Sequence, residues 1–225
     1  MMYNPVPAEL KRRRYTLLTE LYLTARPYLY HLTHLDNLSN LLKTVQLFPA
    51  CTLMQIGGRE ELMRKRRPGP ERLIIDGETV VLRDQGPLHA GHAKFPKGYI
   101  FEDLVEDLNR RVFFWPGSSK TPIPYGVRHF EHYRKEKPML LRIKFQSLLD
   151  NNPGQIPLFC RFNSGSPRTS YGLKSARGPK TFVSADEFRG TPSKVVEVTF
   201  DRQLTLPPDT ECGKRPTGPW HLLRE

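Results

Sequence analysis

Apolar residues recur at helical spacing early in the chain and alternate with polar ones late in it. Over residues 8–24 (AELKRRRYTLLTELYLT), Leu10, Leu17, Leu18 and Leu21, with Tyr22 beside them, fall on one side of a helix. The Arg26-Pro27 step ends it, because a residue before proline is pushed out of the helical region. Residues 28–33 (YLYHLT) predict a short strand. Asp36 or Asn37 then caps a second helix, with Leu38, Leu41, Leu42 and Val45 on one face. Glu60–Arg67 reads as a helical segment ahead of the breaker Pro68-Gly69-Pro70. Leu73–Ile75 and Thr79–Leu82, joined through Asp76-Gly77, predict a hairpin. Phe101, Leu104, Val105 and Leu108 predict a helix over 101–110. A buried strand, Val112–Trp115, follows and is ended by Pro116-Gly117. His129–Lys135 reads as helix, and Leu140–Phe145 and Val195–Phe200 as strands. In the last strand Val196, Val198 and Phe200 take one side, and Glu197 and Thr199 the other.

Helices gather early in this reading and strands gather late, which favours an α+β fold over a doubly wound sheet. Hydrophobic residues are 38% of the 225, enough for one core, and 21 prolines keep the elements short. The expected organisation is one domain over residues 28–207, an N-terminal helical segment over 1–27 and a C-terminal tail over 208–225. No stretch approaches the ~18 apolar residues that span a bilayer. The N-terminus (MMYNPVPAELKRRR) lacks the apolar region of a secretory signal. Three widely spaced cysteines make neither a disulfide framework nor a CxxC metal site. A cytoplasmic protein without a membrane partner is the simplest expectation.

A formal charge of +12 bears on partners rather than on fold, and a polyanion is the natural one. The cations cluster at Lys11–Arg14, at Arg64–Arg67 and between Arg161 and Lys194. That last stretch has seven Lys and Arg against two acids, with Gly, Ser and Pro between them. Such a loop can offer cations and backbone N–H groups to phosphates together. The competing explanation is ordinary solubilising charge.

The sequence has no G-x-G-x-x-G after a strand and no phosphate-binding G-x-x-x-x-G-K-[ST]. Three H-x-x-H pairs occur, but a metal needs three or four convergent ligands, so no metal site is expected. Other features carry more chemistry. On the strand Tyr30-His31-Leu32-Thr33, His31 and Thr33 share a face and could hold a ribose or amide, or else simply satisfy the sheet. Phe113, Phe114 and Trp115 present rings to both faces of their strand, for core packing or for stacking on a planar base. Glu197 places a carboxylate in an apolar strand, a costly position unless the group faces solvent, is paired or is used.

Together these features resemble the DarT-type DNA ADP-ribosyltransferases. YHLTHLDNLSNLL is similar to their opening strand and helix, with the pattern H-x-T-x-x-x-N-L. Val112-Phe-Phe-Trp-Pro-Gly-Ser-Ser119 resembles their aromatic strand, and the Val-Val-Glu-Val strand resembles the one with their catalytic Glu. The chain is more similar still to an uncharacterised bacterial family with an L-N-x-x-V-F-F-W-P run. That family shares the Arg83-Asp84-Gln85 and Asn163-Ser164-Gly165 segments. The resemblance spans about residues 28–207 and implies a split antiparallel sheet with flanking helices and NAD as substrate. His31, with Thr33 and Asn37 of the same motif, would hold a ribose of NAD. Phe113 or Phe114 would stack on nicotinamide. Glu197 would bind a ribose hydroxyl and steady an oxocarbenium-like transition state. For the further Arg of the pattern, Arg67 and Arg83 are chosen among Arg59, Arg64, Arg66, Arg67, Arg72 and Arg83. Gly117 stands where that pattern has another Arg. The implied acceptor is a nucleic acid, shaped for by the Asn163–Ser175 loop. The implied role is a toxin or defence effector with a cognate antitoxin. Removal of an RNA 2′-phosphate on the same fold, or non-enzymatic nucleic-acid binding, are the alternatives.

Overall fold

A computed structural model describes residues 19–224. Of the N-terminal periodic segment it therefore shows α1 as residues 19–25, while Leu10, Leu17 and Leu18 lie outside the described residues. Tyr22 rather than Leu21 is the buried anchor of α1. Its ring stacks on Phe159 with centroids 4.2 Å apart, while Leu21 is half exposed.

The chain continues through β1 (Tyr28–His34), α2 (Leu38–Thr44), β2 (Gln46–Leu47) and α3 (Ala50–Ile56). The expected hairpin is present as β3 (Glu71–Ile75) and β4 (Glu78–Leu82). Asp76 (φ 50°) and Gly77 (φ 80°) give it the two left-handed positions that a tight hairpin turn needs. Then come β5 (Ala93–Lys94), α4 (Phe101–Asn109), β6 (Val112–Gly117), α5 (Pro124–His132), β7 (Pro138–Lys144) and α6 (Phe145–Asp150). The rest of the chain forms β8 (Leu158–Cys160), β9 (Ser175–Ala176), β10 (Glu197–Phe200), β11 (Leu204–Thr205), β12 (Glu211–Gly213) and β13 (His221–Leu222).

Several boundaries differ from the sequence reading. Glu60–Arg67 forms only a single 3-10 turn, Glu60–Leu62, and the helix before the Pro68 breaker is α3, whose Met54 is fully buried. The α5 helix starts at Pro124 rather than at His129, because proline at a first helical position has no N–H to lose. Pro116-Gly117 belongs to β6 rather than ending it. The expected tail is not a tail. β12 and β13 extend the sheet beyond β7, and Glu211 forms a two-pronged ion pair with Arg142 at 2.7 Å.

Seven strands form one antiparallel sheet in the order β13-β12-β7-β1-β6-β10-β8. The fold is α+β, although helices are threaded between the sheet strands rather than set in a separate run. Alternation along β6, β10 and β8 sorts side chains onto two cores. Val112, Phe114, Val198, Phe200 and Phe159 join Leu29, Leu141 and Ile143 in the main core, closed by α1 and α6. Cys160, Phe113 and Leu158 pack on the other face against Leu104, Val105 and Leu108 of α4.

Candidate functional site

The sheet comes apart at one place. β1 and β6 pair only over Tyr28–Tyr30 against Gly117–Trp115, although β1 runs on to His34 and β6 begins at Val112. Beyond Tyr30 the two strands part, and β6 pairs on its other side with β10. The His31 ring bridges the gap at its apex, with Nδ1 2.9 Å from the Phe113 carbonyl oxygen. A carbonyl only accepts, so Nδ1 carries the proton and Nε2 keeps its lone pair. Burial holds the ring neutral by lowering its pKa to about 4, and the nearby Arg83 charge adds to that, while the Phe113 bond opposes it. A cavity of about 280 Å³ opens here, near the lower limit for small-molecule sites.

One wall of the cavity is built without regular secondary structure. Arg66 donates to the carbonyls of Gln85 and Gly86, the Arg67 N–H donates to Gln85 Oε1, and the Gln85 N–H donates to the Arg67 carbonyl at 2.7 Å. Arg67 is 5% exposed, and its guanidinium is held on two sides. Its Nε donates to the Arg83 carbonyl at 3.0 Å, and its Nη1 to Asn109 Oδ1 at 2.8 Å. Asn109, at the end of α4, also accepts from Gln85 Nε2 and donates to the Met63 carbonyl. Arg83 lies 3.6 Å over the Tyr133 ring, and its buried Nη2 has no hydrogen-bond partner. Neither guanidinium is within ion-pair distance of a carboxylate among the described residues. Burial lowers both pKa values, that of Arg67 to about 10, and both stay cationic at neutral pH.

Glu197 faces the cavity from the first position of β10 and is 3% exposed. Both carboxylate oxygens accept the Ser164 N–H at 3.2 Å. Burial raises its pKa to about 7, against the lowering effects of Ser164 and Arg177. The carboxylate therefore changes charge close to neutrality, where a small change in surroundings decides its state.

His31, Thr33, Asn37, Arg67, Arg83, Phe113 and Glu197 all line this one cavity. Phe114 does not. It is 1% exposed and packs edge-on against Phe200 in the main core, so of the two candidate stacking rings only Phe113 reaches the site. Asn37 lines the wall with its amide already committed. Its Oδ1 accepts the Val81 N–H at 2.6 Å, and its Nδ2 donates to Thr33 Oγ1 and to the Val81 carbonyl. Asn37 thus ties β1 to β4. Gly117 has a steric reason: a Cβ there would lie 2.5 Å from the Thr121 oxygen and 2.7 Å from the Pro122 Cα.

Sequence reasoning gave no role to His129 and Tyr133, which follow Trp115 along the cavity wall in tilted and edge-on contacts with centroids 5.2 and 5.0 Å apart. It also missed Asn109. The segments around Asn109, Arg83-Asp84-Gln85 and Asn163-Ser164-Gly165, separate in the chain, meet at this cavity. The H-x-x-H histidines divide their duties: His34 accepts the Asp36 N–H at the end of β1 while His31 bridges the gap. No group of three or more His, Cys, Asp or Glu is placed to hold a metal among the described residues. No helix among them is long and apolar enough to cross a membrane.

No curated protein and no solved structure matches the chain. Residues 27–209, which include every residue of the cavity, match the profile of a family of unknown function, DUF7002. The chain belongs to the DUF7002 family.

Proposed function

We propose that this protein is an NAD-consuming ADP-ribosyltransferase whose acceptor is a nucleic acid. One observation carries the reading: a buried carboxylate shares a cavity with the buried Arg67 and with Arg83, whose Nη2 is buried without a hydrogen-bond partner, and neither guanidinium forms an ion pair with a carboxylate. Desolvated cations that no carboxylate contacts directly are costly, and an anionic ligand lowers that cost. A dinucleotide suits both halves of the arrangement. Its diphosphate would satisfy Arg83 Nη2 beside Arg67, while the ribose that bears nicotinamide would lie by Glu197. His31 Nε2 is an acceptor for a ribose hydroxyl, and the Phe113 ring offers a flat apolar surface to the nicotinamide.

In this reaction the bond between ribose C1′ and the nicotinamide nitrogen breaks, and its electron pair leaves with neutral nicotinamide. Positive charge builds on the ribose, and the buried Glu197 carboxylate stabilises it from a fixed position. The acceptor's lone pair then closes on C1′, and the acceptor gives up a proton. The ionised carboxylate is the working form, so kcat/KM is expected to rise with pH through about 7.

The acceptor reading is supported by the loop that leaves the cavity at Gly165 and runs on to Lys180. Arg168, Lys174 and Lys180 on it are exposed and make no ion pair, whereas Arg64, Arg111 and Arg142 elsewhere are held by carboxylates. Tyr171 stands fully exposed at the tip of the Ser170–Leu173 turn, where an unstacked base can lie on its ring. Tyr171→Ala is expected to weaken single-strand binding 5- to 150-fold, from about 1–3 kcal/mol per stacked base. Fluorescence anisotropy at fixed salt measures this.

The deciding experiment incubates the protein with NAD labelled on its adenylate, together with DNA, RNA and protein fractions. Label should appear on a nucleic acid and be lost in Glu197→Gln. Label on protein alone would overturn the acceptor. A folded sample that releases no nicotinamide while binding nucleic acid would make the chain a binding module.

A further inference from the structure

We propose that Arg177 is the positioning residue of the Glu197 carboxylate and acts on it through a single peptide group. Between β8 and β9 the chain has no regular element, yet Ser164 in this stretch is fully buried and holds Glu197. Arg177 orders the stretch. Its Nη2 donates to the Asn163 carbonyl at 3.0 Å and its Nε to the Ser164 carbonyl at 3.2 Å. Its Nη1 donates to Ser175 Oγ at 2.7 Å and to the Ala176 carbonyl at 2.9 Å. The guanidinium lies 3.9 Å over the Phe162 ring and is 3% exposed. Its own backbone is fixed by the N–H it donates to the Lys94 carbonyl, next to the β5–β9 pairing.

The Asn163 carbonyl and the Ser164 N–H belong to the same peptide unit. Arg177 therefore donates to one end of that unit, and the other end donates to Glu197. A cation at the carbonyl polarises the peptide and makes its N–H a stronger donor, an effect that low dielectric enlarges. This arrangement differs from an ion pair in its consequence. A guanidinium forked onto the carboxylate would occupy the oxygens that a ligand needs. Acting through a peptide, Arg177 orients and favours the anion while leaving its oxygens open to the cavity.

The other titratable or charged groups near Glu197 do not substitute for it. Cys160 pairs with Glu197 in register from β8, and burial keeps its thiol protonated. β6 contributes only the aromatic Phe113 and Trp115. His31, Arg67, Arg83, Arg111, Asp84, His129 and Tyr133 also line the cavity. None of them appears among the influences on Glu197, whereas Arg177 does.

The test is a carboxyl-carbon NMR titration of the full chain labelled at Glu, with the Glu197 signal assigned by its loss in Glu197→Gln. In the parent the signal should titrate near 7, and the Ser164 amide should shift with the same midpoint. Arg177→Met is expected to weaken Glu197 as an acid at least tenfold. Arg177→Lys keeps the charge but cannot span both carbonyls, so it should restore part of the effect and leave a roughly threefold weakening. Arg177→Lys also decides the question should Arg177→Met fail to fold. An unchanged Glu197 midpoint in folded Arg177→Lys, or a Ser164 amide that ignores the titration, would overturn the proposal. Nothing in this experiment involves NAD. A protein that never consumes NAD would refute the transferase reading and leave this one standing, and the converse holds.

Discussion

Glu197→Gln is expected to melt about 6–12 °C above the parent protein at pH 8, while the two melt together below pH 4.5. An ordinary glutamate ionises near 4.5, and burial moves Glu197 to about 7. Because the folded pKa is raised, its contribution is fully present below 4.5 and is lost as pH rises through about 7. Above that range the folded protein carries a charge that it holds at a cost of about 3 kcal/mol. Glutamine keeps an oxygen to accept the Ser164 N–H and carries no charge. For a chain of this size each kcal/mol moves the melting temperature by about 2–4 °C. His31 and His129 act in the opposite sense, with pKa values lowered by burial to about 4 and about 3. They stabilise above the usual 6.5 and withdraw that stability as pH falls toward those values. Both proteins share them, so the difference between the two melting curves isolates Glu197. Calorimetry from pH 4 to pH 8 measures it. Equal melting temperatures at pH 8 would mean that the carboxylate is solvated after all. A variant more stable and less active than its parent is the signature of a residue kept for function.

Asn109→Leu is expected to cost about 3–5 kcal/mol of stability, more than Arg67→Met at the same contact. Asn109 Oδ1 is the acceptor shared by the Arg67 Nη1 and the Gln85 Nε2, in a side chain that is 1% exposed. An isosteric leucine leaves a buried cation short of a partner and the Met63 carbonyl unsatisfied. Arg67→Met removes the cation itself and fills its space with an apolar chain. The double variant should therefore recover about half of the loss from Asn109→Leu, a coupling that denaturant unfolding of all four proteins would resolve. Simple additivity of the two single losses would show that the pair is independent and the wall less tightly built than its hydrogen bonds imply.

Much of the fold could be read locally. The β3–β4 hairpin needed only Asp76-Gly77 between two apolar runs, and α4 only the spacing of Leu104, Val105 and Leu108, because these elements are determined by neighbours in the chain. β10 was legible in the sides of Val198, Phe200 and Glu197, but the strand begins only at Glu197, and Val196, expected beside Val198, packs instead with Tyr30 and Trp115. α3 was not legible, since a seven-residue apolar helix has too few turns to display a period. The C-terminal strands escaped because β12 and β13 are two or three residues long, and the pairing of β12 with β7, on which β13 adds, depends on a partner about 70 residues away.

The sequence by itself determined which residues carry unusual chemistry: a carboxylate in an apolar strand, a histidine at the end of another, and a surplus of cations. Only the tertiary structure decided how they act. It placed His31 and Glu197 on opposite sides of a gap where β1 leaves β6, and it chose Phe113 over Phe114 by the pleat of one strand. Of the six candidate arginines it set only Arg67 and Arg83 against the cavity. It joined Arg177 to Glu197 through one peptide. Each decision depends on contacts across long stretches of chain, and on which groups lose water when those stretches meet. Neither is encoded in spacing along the sequence.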